Sequence, residues 1–547
     1  MRKLLIGCLI LFCCFSVFAE GQQEVEQNFE LTPPGELPIV TNVVGERPTL
    51  TLYITSSPSA NDFENNEFTK WLEEKTGINL DFVAVPTHDG AKKLNILMAS
   101  GEYPDVITGT NVLSPAQIKM YGEEGVLIEL NDLIEKYGVE TKKLFNDYPA
   151  AQEIATFEKG RIYSLPQVSE CYHCLSPCKM WVYKPWLDKL GLDVPTTTEE
   201  FKEMLIAFKT QDPNGNGKAD EIPMMGSKSG WHNNAHDYLM NSFTYYSSEK
   251  KGLYLKDGKV QSSYLDEGWK ECFAYINSLV EEKLIATESW TQEWGMIAKS
   301  VESTPHIVGC VPSGWQGMFC QISNSDKWKD YISIAPLKGP KGVQNATYLP
   351  YTIARHKWMI TEKCKYPEIA FRLADFMYTH EANLRHHVGR LGIEWDYLPE
   401  DTDLKDLRGQ KAKVITHVVC DKQPANITWN AAGIFRNCAE RRNEVAATPS
   451  TVVEIVLAKD TKENYMPYAV GMDTVIPPLL FTESEAEQIA LIESDIQTYM
   501  EEAKAKFALG IVDVNEVWDS YLEELRVIGI NRYLALQQAA YDRKVNQ

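Results

Sequence analysis

The stretch best suited to chemistry is Asp212-Pro-Asn-Gly-Asn-Gly-Lys-Ala-Asp-Glu-Ile-Pro223. Oxygen-bearing side chains recur at alternate positions, Asp212, Asn214 and Asn216, and are followed by Asp220 and Glu221. Gly217 falls where a tight loop needs backbone freedom, and the Lys218 carbonyl falls where a backbone ligand belongs. Such a loop can surround one hard cation with oxygen and points to a structural Ca2+. It departs from an EF-hand at its twelfth position, which is Pro223, so a bidentate carboxylate has to come from Glu221. A plain Asx/Gly turn is the competing reading.

No motif for covalent chemistry is present. There is no Gly-x-Ser-x-Gly elbow, no phosphate loop and no His-Glu-x-x-His pair. His386 and His387 are adjacent, so a helix would point them to different faces, as solvated or helix-end histidines. Binding fits the composition better, with 13 Trp and 26 Tyr in 547 residues. Indole faces stack on the C–H faces of sugar rings, while hydroxyls need fixed polar partners. Trp231, Trp290, Trp294, Trp315, Trp395 and Trp429 lie in loop or strand-end contexts; Trp71, Trp186, Trp269 and Trp518 lie in helical patterns and are expected in the core. Glu394 and Asp396 flank Trp395 as hydroxyl acceptors, Arg390 could grip a uronate carboxylate, and His232 adjoins Trp231.

The run leading to the acidic loop is Trp181-Val-Tyr-Lys-Pro-Trp-Leu-Asp-Lys-Leu-Gly-Leu-Asp-Val-Pro195, then Thr196-Thr-Thr-Glu-Glu-Phe. With the loop, it resembles the solute-binding proteins of carbohydrate ABC importers, above all the large subgroup that includes alginate-oligosaccharide-binding proteins. Further landmarks follow in the family's order: Gly101-Glu-Tyr-Pro-Asp-Val-Ile107, Gly160-Arg-Ile-Tyr-Ser-Leu-Pro166, Pro336-Leu-Lys-Gly-Pro-Lys-Gly342 and Gly389-Arg-Leu-Gly-Ile-Glu-Trp395. In the last of these Leu391 stands where the family often has Glu. The resemblance implies an α/β, two-lobed periplasmic-binding-protein-like fold of type II, with the ligand cleft between lobes and a mostly helical C-terminal third. It implies an oligosaccharide ligand, ABC permease subunits as partners, a monomer, and Ca2+ held by Asp212, Asn214, Asn216, Lys218, Asp220 and Glu221, away from the cleft. It points to Trp395 as the main sugar platform, with Trp290 or Trp294, and Trp429, as second platforms. Two other readings stay open: the same fold binding a peptide or lipid-like solute, and an exported glycoside-active enzyme.

The elements that would position these residues are legible in outline. Thr49–Ile54, Leu80–Val85 and the Tyr103–Ile107 run alternate with helices begun after Asn65 or Asn66 and at Ala91, ending at Gly77 and Gly101, which calls for a parallel sheet. The expected lobes are 48–168 with 308–358, and 169–307 with 359–547, the strand near Ile307–Val311 returning to the first lobe. A net charge of −22 argues against nucleic acid and against anionic lipid surfaces. Arg2 and Lys3 precede an apolar run to Phe18, and Val17-Phe-Ala19 offers a cleavage site, so 1–19 reads as an export signal and 20–47 as a flexible leader. Leu5-Ile-Gly-Cys8 matches a lipobox in letters, leaving lipid attachment as a rival to simple cleavage; either address is periplasmic or on the outer face of the cytoplasmic membrane. Of twelve Cys, nine lie beyond the signal, an odd number. Cys171, Cys174 and Cys178 with His173 offer a zinc-type ligand set, but no second cluster completes a zinc ribbon, and exported chains more often form disulfides or carry bystander thiols.

Overall fold

The structure, a computed structural model, describes residues 28–546 apart from 111, 323–324, 352–353, 419–423 and 449–450. The export signal expected at 1–19 and the lipobox lie outside the described residues. Two separate sheets carry the molecule. In the first, the order is Arg436–Asn437, Leu165–Ser169, Ala354–Ile360, Val106–Ile107, Thr49–Ser56, Asn79–Pro86. Thr49–Ser56 runs parallel to both neighbours, as the alternation of strands and helices requires. Ala354–Ile360 runs antiparallel to both of its own. The second sheet has the order Tyr331–Ile334, Met180–Tyr183, Val308–Pro312, Ile222–Met224. Each sheet has its own apolar core, one around Leu52, Trp358 and Phe371, the other around Val182, Phe208 and Phe273.

The helix signals hold where a cap is local. Asn66 accepts the Phe68 amide, Gly77 closes the helix Glu67–Thr76 in the left-handed conformation, and a Thr482–Glu485 capping box opens Glu483–Ala508. Trp71, Trp186, Trp269 and Trp518 are all buried, as their helical spacing requires.

Three expectations on organisation need correction. The strand Val308–Pro312 does not return to the first lobe: it pairs with Met180–Tyr183 and Ile222–Met224. The strand Ala354–Ile360 does lie in the first sheet, where the expected boundary at 358 cuts it short, and the helix Pro367–Met377 also belongs to the first lobe, because Ile369, Phe371 and Leu373 bury against its core. From the chain's last part, Tyr465, Ile476 and the helices Glu483–Ala508, Val514–Ile528 and Ile530–Val545 complete the second core, while Val453 and Leu457 pack beside Trp181 and Val311 of the same lobe. The leader is also not flexible throughout. Residues 28–47 are laid on the first lobe by Phe29, Ile39 and Val40, and the Arg372 guanidinium donates to the carbonyls of Thr32 at 2.7 Å and Pro33 at 2.9 Å.

Candidate functional site

At one edge of the second sheet, Ile222–Met224 and Val308–Pro312 both end, and their following loops meet. Trp231 and Trp315 come from these loops and Trp294 opens the helix Trp294–Val301; all three are partly exposed. The loops are stitched together through the backbone. Gly314 N–H donates to the Trp231 carbonyl at 2.9 Å, Lys228 N–H to the Gln292 carbonyl at 3.1 Å, and Asn233 Nδ2 to the Pro312 carbonyl at 3.0 Å. Gly314 lies flat on the indole: a Cβ there would stand 2.1 Å from Trp231 Cε3. The Trp231 ring also meets the His173 ring in an edge contact, centroids 5.8 Å apart. Trp290 sits nearby but packs partly buried against the second core.

Polar groups interleave with these rings. Ser229 Oγ donates to Glu293 and accepts from the Trp294 amide, and Lys228 Nζ is 3.1 Å from Glu293. Burial works against the charged form of Glu293, but the Ser229 hydroxyl, Lys228 and His88 hold its carboxyl below the usual range. His88 belongs to the first lobe, in the turn that follows Asn79–Pro86, so a first-lobe group acts on Glu293 at this edge. The facing edge of the first lobe lies at the carboxyl ends of its parallel strands, where α/β sheets bind ligands. It presents Ser59, whose hydroxyl accepts from Asn430 Nδ2 at 2.8 Å, and Thr110, whose hydroxyl donates to the Ala431 carbonyl at 3.3 Å.

Four of the expected platform residues, Trp231, Trp290, Trp294 and Trp315, thus gather at one edge. Two do not. Trp395 is fully buried among Leu384, Val388 and Val414, its Nε1–H donating to the Gly389 carbonyl at 2.8 Å. Trp429 is fully buried in the first core, edge-on to Phe63, Phe68 and Phe82, with Nε1–H donating to Thr69 Oγ1 at 2.8 Å. Neither can stack on a sugar. Arg390 and Glu394 are spent on each other: Arg390 Nη2 is 2.7 Å from Glu394 Oε1, and the Arg390 amide donates to the other oxygen at 2.7 Å. His386 and His387 do stand in the last turn of the helix His380–His387, as helix-end groups, but they are not solvated; they pack against Phe435, and burial pushes His387 down to about 3. Sequence reasoning passed over Lys228, Glu293 and His88, and singled out His173 only as a metal ligand. Lys228-Ser-Gly-Trp231 carries a local signal, a loop joining Gly to Trp; His88 carries none.

The acidic loop lies before Ile222–Met224, at the opposite end of that strand from Trp231. Asp212 is its hub: its carboxylate accepts the amides of Gly215 at 2.9 Å, Asn216 at 3.1 Å and Gly217 at 3.0 Å. Gly215 and Gly217 both have φ of +74°, which lets the chain wrap this tightly. Asn214 and Asn216 turn their Nδ2 groups onto Asp220 at 2.9 and 3.0 Å. Glu221 differs. Both its carboxylate oxygens are buried without a hydrogen-bond donor, and burial, with Asp212 and Asp220 adding repulsion, pushes its carboxyl up. An acceptor-only pair of oxygens buried among like charges suits a cation, so the donor set fits Ca2+.

The cysteine cluster divides. Cys171 and Cys174 form a disulfide around the turn Tyr172–Leu175, while Cys178 is a free buried thiol facing His232 at 3.2 Å. The three-thiolate site with His173 is therefore not formed.

Residues 57–384 match the family model described as bacterial extracellular solute-binding protein. The chain belongs to that family. It is 29% identical over 535 residues, 94% of either chain, to the fructooligosaccharide ABC transporter substrate-binding protein FusA of Streptococcus pneumoniae serotype 4. The solved structure of S. pneumoniae FusA in complex with kestose aligns at a TM-score of 0.76 and 26% identity, covering 91% of this chain and all of that one. An EF-hand mutant of the same protein with fructo-nystose aligns at 0.75 and 25% identity, with the same coverage. The two sheets and their facing edges are the two lobes of this solute-binding fold, and the role that goes with it is solute capture for an ABC transporter. Among the described residues, no helix is long and apolar enough to cross a membrane.

Proposed function

We propose that this solute-binding protein is an oligosaccharide receptor that grips a neutral glycan between its lobes and passes it uncleaved to an ABC permease. The observation that carries this reading is the set of partly exposed rings Trp231, Trp294 and Trp315 at the edge of the second lobe, while the strand ends of the first lobe carry hydroxyl and amide groups. Flat apolar rings opposite fixed polar groups match the two faces of a sugar. Neutrality is supported by the charges: Lys228 is paired with Glu293 and Arg390 with Glu394, so neither cation is left for a uronate. The fructooligosaccharide specificity of FusA points the same way. The ligand would favour the closed arrangement by contacts it makes with both lobes, and the permease would read that arrangement.

The chain is read as exported, as a monomer, and as carrying one structural Ca2+. Asp212, Asn214, Asn216, the Lys218 carbonyl, Asp220 and Glu221 would hold the ion, which supplies the positive charge that the buried Glu221 carboxylate otherwise lacks. The EF-hand reported for FusA supports that assignment. Titration calorimetry with fructooligosaccharides, other neutral oligosaccharides, uronate oligosaccharides and peptides tests the ligand class, and chromatography of the recovered sugar tests whether it leaves intact. Tight binding of peptides alone, or release of shortened sugars, would overturn the reading.

A further inference from the structure

Behind the Trp231 ring lies a cluster that neither sugar binding nor the calcium loop uses. Cys178 precedes the strand Met180–Tyr183, His232 follows Trp231, and Asp237 sits on the short helix Ala235–Leu239. Their exposures are 5%, 5% and 3%. One ligand atom from each, the Cys178 sulfur, a His232 ring nitrogen and an Asp237 carboxylate oxygen, lies within 4.8 Å of the other two. His232 Nδ1 is 3.2 Å from Cys178 Sγ and 3.1 Å from Asp237 Oδ2.

We propose that Cys178, His232 and Asp237 form a transition-metal site, of the kind that takes Zn2+, directly behind the Trp231 platform. One ring nitrogen can carry only one hydrogen, yet a thiol and a carboxylate both converge on it. A metal ion at that point satisfies all three groups at once. The edges of a tetrahedral zinc site with S, N and O ligands are about 3.3–3.6 Å, so the sulfur and the carboxylate oxygen each need to part from His232 Nδ1 by only a few tenths of an ångström, and the remaining edge already lies within 4.8 Å. Mixed sulfur, nitrogen and oxygen donors select zinc or cobalt over calcium, which the all-oxygen loop prefers. The ring's other nitrogen, Nε2, stands 3.0 Å from Glu249 Oε1, the outer carboxylate that fixes the tautomer of a metal-bound histidine. His232 also holds φ at +58°, a left-handed conformation that a histidine adopts at a cost, and it aims the ring inward.

Ser248 Oγ, 3.3 Å from Asp237 Oδ2, and His236 Nε2, 3.3 Å from Oδ1, complete the polar surroundings and orient the carboxylate. Ion binding displaces the thiol proton of Cys178 and the proton on Nδ1 of His232. The imidazole remains as its Nε2–H tautomer, donating to Glu249. A fourth position is left for a water. Because His232 directly follows Trp231, an ion here stiffens the aromatic platform from behind. This set is distinct from the Cys171, His173 and Cys174 group, whose two sulfurs are joined in a disulfide.

The test uses the whole mature chain, stripped with chelator, saturated with Ca2+ to fill the oxygen loop, and titrated with Co2+. One Co2+ per chain, with a thiolate-to-cobalt charge-transfer band in the near ultraviolet that Zn2+ abolishes, is the expected result. Cys178→Ser should lose the band, Glu249→Gln should weaken binding by about 10- to 100-fold, and Asp212→Ala and the Cys171→Ser/Cys174→Ser double variant should keep it. A wild-type chain that shows no such band at millimolar Co2+ overturns the proposal, as does a band that survives in Cys178→Ser. Should Cys178→Ser not fold, His232→Gln provides the same discrimination, and the wild-type spectrum decides independently of either.

Discussion

Asp212→Ala separates what the calcium loop does from what the cleft does. The Asp212 carboxylate closes the loop on three amides and is one of three carboxylates, with Asp220 and Glu221, drawn around the same point. An ion bound to the folded loop alone, at 100 times its Kd, adds about 2.7 kcal/mol of stability. A lobe of this size gains roughly 2–4 °C per kcal/mol, so Ca2+ should raise the wild-type Tm by roughly 5–11 °C over its value in chelator. In Asp212→Ala that increment should vanish. In chelator the two proteins should melt close together, because the lost hydrogen bonds are exposed and the removal of one like charge offsets them in part. Sugar affinity should change less than about twofold, since Trp231 lies beyond the opposite end of Ile222–Met224. Differential scanning fluorimetry in calcium and in chelator, paired with titration calorimetry, reads both quantities. A wild-type Tm indifferent to calcium would refute the ion, and a variant that kept its Tm while losing sugar affinity would refute the separation.

Other perturbations bear on the cleft and the cores. Trp231→Ala should cut oligosaccharide affinity about tenfold or more, roughly 1.4 kcal/mol, with little change in Tm, as calorimetry and melting would report. Gly314→Ala should do the same without touching the indole, because the new Cβ would enter the Trp231 ring space. Trp395→Ala and Trp429→Ala should instead cost about 3–5 kcal/mol of stability, measured by denaturant unfolding, while the folded fraction still binds. Acid should weaken the first lobe through His356, which stacks on Phe157 and is pushed down to about 4 by burial. An unfolded histidine titrates near about 6.5, so stability present above that pH is lost as pH falls toward 4, by up to about 1.4 kcal/mol per pH unit from this group. His356→Gln should flatten that part of the pH–stability curve.

What could be read from the sequence divides by the reach of the interactions. The acidic loop was legible because its hydrogen bonds run from Asp212 only to Gly215, Asn216 and Gly217. The helix at Glu67–Thr76 was legible for the same reason, since Asn66 and Gly77 cap it locally. The tryptophans were not. Trp231 and Trp429 look alike in their local context, and what buries Trp429 is Thr69 and Phe82, several hundred positions away. Trp395 was drawn toward the ligand by resemblance and Arg390 by its guanidinium fork, yet the turn from Gly389 to Trp395 consumes its own polar groups. The strand Val308–Pro312 is buried along its whole length, so its apolar pattern suits either sheet equally and only its partners choose between them. The segment 28–47 carried its anchors, Phe29, Ile39 and Val40, in a run whose polar composition hid them.

The helix Glu483–Ala508 completes the second core, yet it also packs along Pro115–Glu123 of the first lobe. Farther on, Lys544 reaches Glu153 at 2.6 Å. The C-terminal helices therefore lace one half of the molecule to the other, as a spine holds two covers. Any parting of the halves must be smallest along that spine and widest at the opposite mouth. A ligand held by both halves is therefore expected to enter and leave on the side away from the spine.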